Sequence, residues 1–337
     1  MKKFGAVLKI GAVVILTAFV VLTLGSGPVM AAGPTIMKIA TPHAGTDREL
    51  KANKALKMKN RIEELTKGAV KVQVFRGELG GEKEIMSSTQ TGTIQGCVIS
   101  AGTVGGFVKE AEIFNMPFLF ESTAHLYKVM DGAYGKRMKG LMKKAGFKLA
   151  ITGFDAPRMI FLREKEVKTL ADLKGLKIRV METPLFVKLM KAMGAMPAPM
   201  SWSEVFMALS NGVVDGLDSS WPGAWASKLK EVTKYTFATS HVLSPQFAFI
   251  SQRWYKKQPK EIQAAITKAC KDVEPGIRKF DDQEVKAFEK KWVDAGQIVH
   301  VPNAADMKTL RAIGAKVTES FYDRIGKQNV ELIRKSK

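Results

Sequence analysis

The segment from Lys174 to Gly194, KGLKIRVMETPLFVKLMKAMG, decides the fold class. It begins with a short apolar run typical of a buried strand and continues with the apolar spacing of a helix that ends at glycine. A second strand-like run, VVDGLD, follows at 213–218. This order of strand, helix and strand predicts a parallel unit covered by helices. Arg179 is unusual in such a strand, because a guanidinium is always charged and is rarely buried without an anion.

Short strand-like and longer helix-like segments alternate along the chain from Thr35 onward. TIMKIATP is a strand, the helix after it ends near Gly68, and a second group of strands and helices occupies about 156–240. The alternation predicts an α/β protein with two lobes, mostly parallel sheets flanked by helices, and a ligand cleft between the lobes. The predicted lobe I comprises residues 32–155 plus about 245–284, and lobe II comprises 156–244 plus about 285–337.

Several local features are predicted from the same pattern. Separate strands are expected at FKLAITGF (147–154) and PRMIFLR (157–163), a turn at GTVGG (102–106), and helices over 121–145, 259–272 and 275–294. Thr169 with Asp172 has the spacing of a capping box, and Ser201 is predicted to cap the next helix with Glu204 reaching back to it.

The N-terminus carries a predicted export signal. Lysines within the first nine residues precede the apolar run from Ile10 to Leu24, and small residues follow it. This order is typical of a secretory signal peptide, here over 1–31 with cleavage near Ala31. An uncleaved membrane anchor is the alternative, but the apolar run is short for a helix that spans a bilayer. The expected product is a soluble periplasmic protein.

The chain is strongly basic. It has 53 lysines and arginines against 32 acidic residues, a formal net charge of +21. Such an excess attracts nucleic acid, anionic membranes or small anions, and export argues against nucleic acid. The lysines are scattered through amphipathic helices, so most are predicted to lie on solvated faces, among them Lys51, Lys54, Lys57 and Lys59.

Few residues are available for catalysis or metal binding. Walker, G-x-S-x-G, H-E-x-x-H and C-x-x-C motifs are absent, and none of the four histidines has metal-ligand spacing. Asp215 and Asp218 lie three apart at a strand end, where a cation or a ligand hydroxyl is an option; for Asp215 a turn is favoured. An exported enzyme would have to rely on Asp218 with His43. No cofactor is predicted, and a bridging cation stays open.

The chain has two cysteines, Cys97 and Cys270, which are too few for disulfide bonds to stabilise a protein of this length. Nothing in their spacing brings them together. Buried free thiols are therefore expected, and pairing stays open.

Two long stretches of the second half carry a family resemblance. TLADLKGLKIRVMETP (169–184), followed by MGAMPAPMSWSEVFMALSNGVVDGLDSS (193–220), closely resembles the solute-binding proteins of tripartite ATP-independent periplasmic (TRAP) transporters, of the dicarboxylate-binding (DctP-like) type. GELGGEKEIMSSTQTGTI (77–94) is similar to that family's first lobe. The resemblance implies two α/β lobes spanned by a long hinge helix. It also implies a protein, not an enzyme, that closes on an organic acid and passes it to membrane permease subunits.

The resemblance also implies a binding site. Arg179 matches the family's arginine that makes a bidentate contact with the substrate carboxylate. Arg158 matches a position that supplies a second basic contact in some members. The other positions that the resemblance or the local pattern places at the site are Trp202, Asp218, Ser219, Trp221, Ser100, His43 and Gln246. A structural alternative for Arg179 is an internal ion pair with Glu182 or Asp218.

The class of ligand is left open by the sequence. DGLDSSWPGAW, from Asp215, departs from the D-G-x-E-N-P pattern of sialic-acid and C4-dicarboxylate binders, so neither ligand is carried over. Trp221 resembles a tryptophan in the branch of the family that binds a 2-oxo acid through a metal ion, but its spacing from the acidic residue differs. A monomer is expected, and a binding protein that serves a membrane sensor is the alternative function.

Overall fold

The computed structural model describes residues 33–336, so the predicted signal peptide and its cleavage near Ala31 lie outside the described residues. The strands are β1 (Thr35–Thr41), β2 (Val70–Arg76), β3 (Gly96–Ser100), β4 (Phe147–Leu162), β5 (Lys177–Val180), β6 (Met196–Pro199), β7 (Gly216–Ser220), β8 (Tyr235–Phe237), β9 (Leu243–Ser251) and β10 (Ile298–His300). The helices are α1 (Leu50–Leu65), α2 (Glu82–Thr91), α3 (Ala101–Val104), α4 (Thr123–Asp131), α5 (Ala133–Lys144), α6 (Pro184–Ala192), α7 (Val205–Ser210), α8 (Trp221–Ala226), α9 (Gln252–Lys256), α10 (Lys260–Asp294), α11 (Ala304–Glu319), α12 (Tyr322–Ile325) and α13 (Lys327–Lys335).

The strands form a mixed sheet in the order β2-β1-β3-β9-β4-β7-β5-β6, with β8 paired to β4 and β10. Strand β1 runs parallel to β2 and β3, β5 runs parallel to β6 and β7, and β8 runs parallel to β10. Every antiparallel pair includes β4 or β9. The predicted α/β class with flanking helices is confirmed, and the parallel pairs form separate groups joined through these two strands.

Strand β4 is continuous where the sequence predicts two strands. Its residues 147–157 pair with β9, and the rest pair with β7 and β8. The pairing shifts between Phe154 and Ala156, just before Pro157. Because a proline lacks the N–H that a regular ladder uses, it is tolerated beside such an irregularity. The predicted boundary between residues 155 and 156 therefore falls inside one strand.

Helix α10 is also longer than predicted. It runs for 35 residues without a break at Pro275, where the sequence predicts two helices. An interior proline removes one backbone hydrogen bond, so tertiary contacts must hold the helix together there. Two ion pairs join α10 to α1 on either side of the proline, Arg61 to Asp272 at 2.6 Å and Lys54 to Asp281 at 2.6 Å.

The predicted helix over 121–145 is two helices, α4 and α5, which meet at Gly132. Gly132 has an extended backbone, which ends the helical hydrogen bonding. Gly135 then packs so closely that a Cβ atom would lie 1.8 Å from the carbonyl oxygen of Met130. The break is therefore set by a close backbone approach that the apolar periodicity does not reveal.

Two further local predictions are wrong in detail. The GTVGG segment begins as helix α3 instead of a turn, and the turn starts at Gly105. Ser201 forms no side-chain cap on the short 3-10 turn Trp202–Glu204; its hydroxyl lies 3.2 Å from that of Ser203. The Thr169 and Asp172 capping box is present as predicted.

The core contains both cysteines as free thiols. Cys97 and Cys270 are buried and unpaired, as predicted. Burial raises the pKa of each thiol to about 12, so both stay protonated and unreactive at neutral pH. Within residues 33–336, no helix combines the length and apolar character that a bilayer crossing requires.

Candidate functional site

A cavity of about 500 Å³ lies where several strands end. His43 follows β1, Ser100 ends β3, Met181 follows β5 and Ser219 belongs to β7, and all four line the cavity. In open α/β sheets, ligands bind at such strand ends. The predicted site residues that line it are His43, Ser100, Arg158, Arg179, Trp202 and Ser219.

Arg179 is buried at this cavity with part of its hydrogen-bonding capacity unused. Its side chain leaves β5 and is 3% exposed. Nε and Nη2 donate to the carbonyl oxygen of Met200 at 3.0 and 2.7 Å, and buried Nη1 has no partner among residues 33–336. Burial, together with the positive charge of Arg158, lowers the pKa of Arg179 to about 10. A buried guanidinium with a free donor is a ready partner for a planar anion.

The structural alternative for Arg179 is not present in the described part of the chain. None of the ion pairs there includes Arg179, neither with Glu182 nor with Asp218. Asp218 is paired with Arg158 instead. Arg179 therefore has no ion-pair partner within residues 33–336.

Asp218 holds the side chain of Arg158 in place. Its Nε donates to the two carboxylate oxygens of Asp218 at 2.9 and 3.1 Å, and its Nη2 donates to the Asp218 carbonyl oxygen at 2.8 Å. Nε2 of His241 lies 3.3 Å from Oδ1 of Asp218. Burial alone would raise the pKa of Asp218, but the charges of Arg158 and His241 lower it to about 2. Asp218 is fully buried and does not line the cavity, so it orients Arg158 and is not open to a cation.

Trp202 and His43 form one wall. The Trp202 ring lies 5.3 Å from the guanidinium of Arg179 and 4.9 Å from the His43 ring, and its Nε1 donates to Oγ of Ser227 at 3.0 Å. Nδ1 of His43 lies 2.9 Å from Oε1 of Glu49. Burial would raise the pKa of Glu49, but the charge and hydrogen bond of His43 lower it to about 2. The wall is thus fixed by contacts outside the cavity.

Besides Asp218, two further predicted site residues, Trp221 and Gln246, lie away from the cavity. Trp221 is 1% exposed and packs on Phe161 and Trp292, with ring centroids 5.3 and 5.8 Å away. Gln246 on β9 is fully buried opposite Ser100, and its amide has no hydrogen-bond partner among the described residues. Neither lines the cavity, because apolar packing and sheet pairing bury both side chains.

The contacts do not assemble the pair that an exported enzyme would need. Asp218 is bonded to Arg158, and His43 is bonded to Glu49. In the part of the chain described, no hydrogen bond joins Asp218 to His43. No group of three or more histidine, cysteine or acidic side chains within residues 33–336 could hold a metal ion.

Sequence reasoning missed several charged residues of the cavity wall. Three of them form what we call the mixed-charge cluster: Lys51, Glu82 and Asp155. Nζ of Lys51 lies 3.8 Å from Oε1 of Glu82 and 3.8 Å from Oδ2 of Asp155. The prediction that Lys51 and Lys54 are solvated is wrong, since they are 1% and 0% exposed. Their burial could have been predicted from the sequence, because both lysines lie on the apolar stripe of α1 that contains Met58.

The sequence and the structure were each compared with those of known proteins. A model of the bacterial extracellular solute-binding protein family 7 matches residues 42–325. A solute-binding protein from Verminephrobacter eiseniae is 32% identical over 275 residues, which covers 81% of this chain and 81% of that protein.

Two crystal structures are similar over nearly their whole length. A TRAP periplasmic solute-binding protein from Bordetella bronchispeptica, with density assigned to pantoate, has a TM-score of 0.83 and 29% identity, covering 90% of this chain and 99% of that one. Another, from Polaromonas sp. JS666 and bound to D-erythronate, has a TM-score of 0.83 and 28% identity, covering 89% and 98% respectively.

Proposed function

Because the chain belongs to the bacterial extracellular solute-binding proteins of family 7, we propose that it captures a small organic carboxylate in the periplasm and delivers it to a TRAP-type membrane permease. One observation carries the proposal: Arg179 is 3% exposed, faces the cavity, and has a buried Nη1 with no partner among the described residues. A desolvated cation without a counterion is costly, and a ligand carboxylate removes that cost.

In this proposal the carboxylate accepts hydrogen bonds from the guanidinium of Arg179. Trp202 covers the guanidinium face at 5.3 Å and restricts its orientation. Arg158, kept in place by Asp218, adds positive charge to the same cavity. Water leaves as the ligand enters, and the charge-assisted contacts strengthen in the less polar surroundings.

We propose that the ligand is held between the two predicted lobes. His43 and Ser100 belong to the predicted lobe I, whereas Arg179 and Ser219 belong to the predicted lobe II; all four line the cavity. A ligand that contacts both lobes favours their closed arrangement, because only that arrangement offers all the contacts. The permease would then meet a closed, loaded protein.

The cellular setting is part of the same proposal. The mature protein starts after cleavage near Ala31, works as a monomer in the periplasm and needs no metal ion to bind its ligand. Intact mass of the exported protein checks the cleavage, and light scattering checks the monomer. Calorimetry with and without a chelator checks the metal: equal affinities are expected, and a loss with chelator would contradict this part of the proposal.

Arg179→Lys tests the site directly. Lysine keeps the charge but loses the planar fork, so affinity for the bound acid should fall at least tenfold while the melting temperature of the free protein is kept. Arg137→Lys is a matched control, because Arg137 is exposed on α5 and does not line the cavity. Calorimetry that gave Arg179→Lys the wild-type affinity would contradict the proposal.

A further inference from the structure

The charged groups that line the cavity are unevenly paired. Arg158 is joined to Asp218, and Nε of Arg324 donates to Oε2 of Glu112 at 2.6 Å. Lys51 stands between two carboxylates in the mixed-charge cluster. Among the buried cations of the described lining, this leaves Arg179 alone without an anion. The cavity can therefore neutralise one buried ligand carboxylate.

The mixed-charge cluster is unsuited to a second carboxylate. Lys51 is 1% exposed and its ammonium lies 3.8 Å from each of Glu82 and Asp155, so the cluster carries one positive and two negative charges. An ionised carboxylate only accepts hydrogen bonds, and here it would lie beside two other carboxylates. The other lining lysines, Lys83 and Lys109, are exposed, and exposed ion pairs contribute little to affinity.

A hydroxyl group matches the same cluster. Each hydroxyl donates one hydrogen bond and accepts others. The distances from Lys51 to the two carboxylates exceed hydrogen-bond length, so its N–H donors are not saturated by them. A ligand hydroxyl can accept from Lys51 while it donates to Glu82 or Asp155.

The two carboxylates are positioned in advance for this role. Glu82 accepts from the Ser100 amide at 2.8 Å, from the Ser100 hydroxyl at 2.9 Å and from the Thr103 hydroxyl at 2.6 Å. Asp155 accepts from the Ser220 hydroxyl at 2.9 Å. These bonds hold the acceptors rigid, which lowers the entropic cost of binding a polyol.

We infer that the ligand is a hydroxylated monocarboxylate, with its carboxylate on Arg179 and at least one hydroxyl on the mixed-charge cluster. This inference rests on the proposed function, because it takes the Arg179 carboxylate contact as given. It makes Lys51, Glu82 and Asp155 the residues that select hydroxylated acids over dicarboxylates and over plain aliphatic acids.

A matched ligand panel tests the inference on the unmodified protein. Calorimetry compares hydroxylated monocarboxylates of four to six carbons, in several configurations and including D-erythronate, D-galactonate and pantoate, with succinate, adipate, butyrate and hexanoate. The tightest hydroxylated acid should bind at least tenfold more tightly than any dicarboxylate or unsubstituted acid. A dicarboxylate or plain acid that bound as tightly would overturn the inference and leave the proposed function standing. Failure of every acid at about 10 mM, a concentration on the order of ten thousand times a Kd of about 1 μM, would overturn both.

A charge-removing variant tests the residues. Glu82→Gln combined with Asp155→Asn keeps acceptor oxygens for the serines but removes two negative charges, which frees Lys51 as a second cation. The preference for hydroxylated acid over succinate should shrink at least tenfold, with circular dichroism unchanged. Glu84→Gln removes a charge from the same helix as Glu82, at an exposed position outside the lining, and should leave the preference within twofold. An unchanged preference in the folded double variant contradicts the assignment, and if that variant does not fold, Asp155→Asn alone replaces it with the same criterion.

Discussion

At the scale of single residues, burial separates the two arginines into different roles. Arg158 and Arg179 are each 3% exposed and line the same cavity. Arg158 has a protein counterion in Asp218, and Arg179 has none in the described chain. The sequence shows why a strand arginine needs an anion, but it cannot tell which of two arginines is already paired, because the pairing joins residues that are far apart in the chain.

Replacing Arg179 with alanine should weaken binding and leave the free protein intact. Loss of the guanidinium leaves a ligand carboxylate desolvated and unpaired, at a cost of about 2–5 kcal/mol in binding free energy. The free energy of unfolding without ligand should change by no more than about 1 kcal/mol, because only bonds to one carbonyl are lost. Calorimetry and urea unfolding check both numbers. A strongly destabilised free variant would show a structural role instead.

Asp218→Asn, in contrast to Arg179→Ala, should lower the stability of the free protein. It leaves the buried guanidinium of Arg158 without its counterion, which is expected to destabilise the free protein by about 3–5 kcal/mol. Urea unfolding at neutral pH measures this loss. Asp215→Asn serves as a control: Asp215 accepts from the backbone N–H of Lys177 at 2.7 Å in an exposed turn, so a smaller cost is expected. Equal losses in the two variants would contradict the assigned role of Asp218.

The same carboxylate should contribute a pH dependence. The pKa of Asp218 falls from 3.8 to about 2 on folding, so in this interval the unfolded chain binds the proton more readily. The stabilisation is complete above the unfolded pKa and is lost as pH falls toward the folded pKa. The stability gap between wild type and Asp218→Asn should therefore shrink by about 2 kcal/mol between about pH 5 and pH 2. A gap that stayed constant across this range in urea unfolding would be incompatible with the lowered pKa.

At the scale of elements, the periodicity of the sequence locates most helices and strands but misplaces their ends. Pro157 and Pro275 predict breaks, yet β4 and α10 run through both positions. In each case the neighbouring element, β9 or α1, supplies contacts that outweigh the local preference. Gly132 shows the reverse, because a close backbone approach breaks a helix that the apolar spacing would continue.

Helix α10 offers a clean test of local propensity at Gly276. This glycine is exposed, and a Cβ atom added there would meet nothing within 4 Å. Gly276→Ala should therefore stabilise the protein by about 0.5–1 kcal/mol through lower entropy of the unfolded chain. Urea unfolding measures the gain, and calorimetry should show unchanged ligand affinity. A loss of stability would mean that the helix needs the glycine next to Pro275.

At the scale of the whole molecule, the sequence predicts the class of protein well. The predicted family, the α/β fold and a binding protein rather than an enzyme are all confirmed. Six of the nine predicted site residues line the cavity, and for these six the family resemblance supplied the positions. Asp218, Trp221 and Gln246 do not, since their burial depends on packing between distant segments, and Lys51 was missed because lysine is rarely buried.

Ligand binding should stabilise the molecule as a unit. A ligand at one hundred times its Kd, bound only by the folded protein, adds about 2.7 kcal/mol to the free energy of unfolding. Urea unfolding with and without the best hydroxylated acid measures the difference. Arg179→Ala at the same ligand concentration should show little of it, and an equal gain in that variant would place the ligand elsewhere.

The continuity of β4 has a mechanical consequence. One part of β4 pairs with β9, which borders the β1–β3 group, and the other part pairs with β7 of the β5–β7 group. The pairing of β4 with β9 is irregular at two points, between Leu149 and Ile151 and between Phe154 and Ala156. Rotation of one group relative to the other must therefore twist the hydrogen-bonded strand β4, because β4 connects the two groups without an intervening loop. We expect such a connection to permit rotation by small angles and to oppose larger rotations.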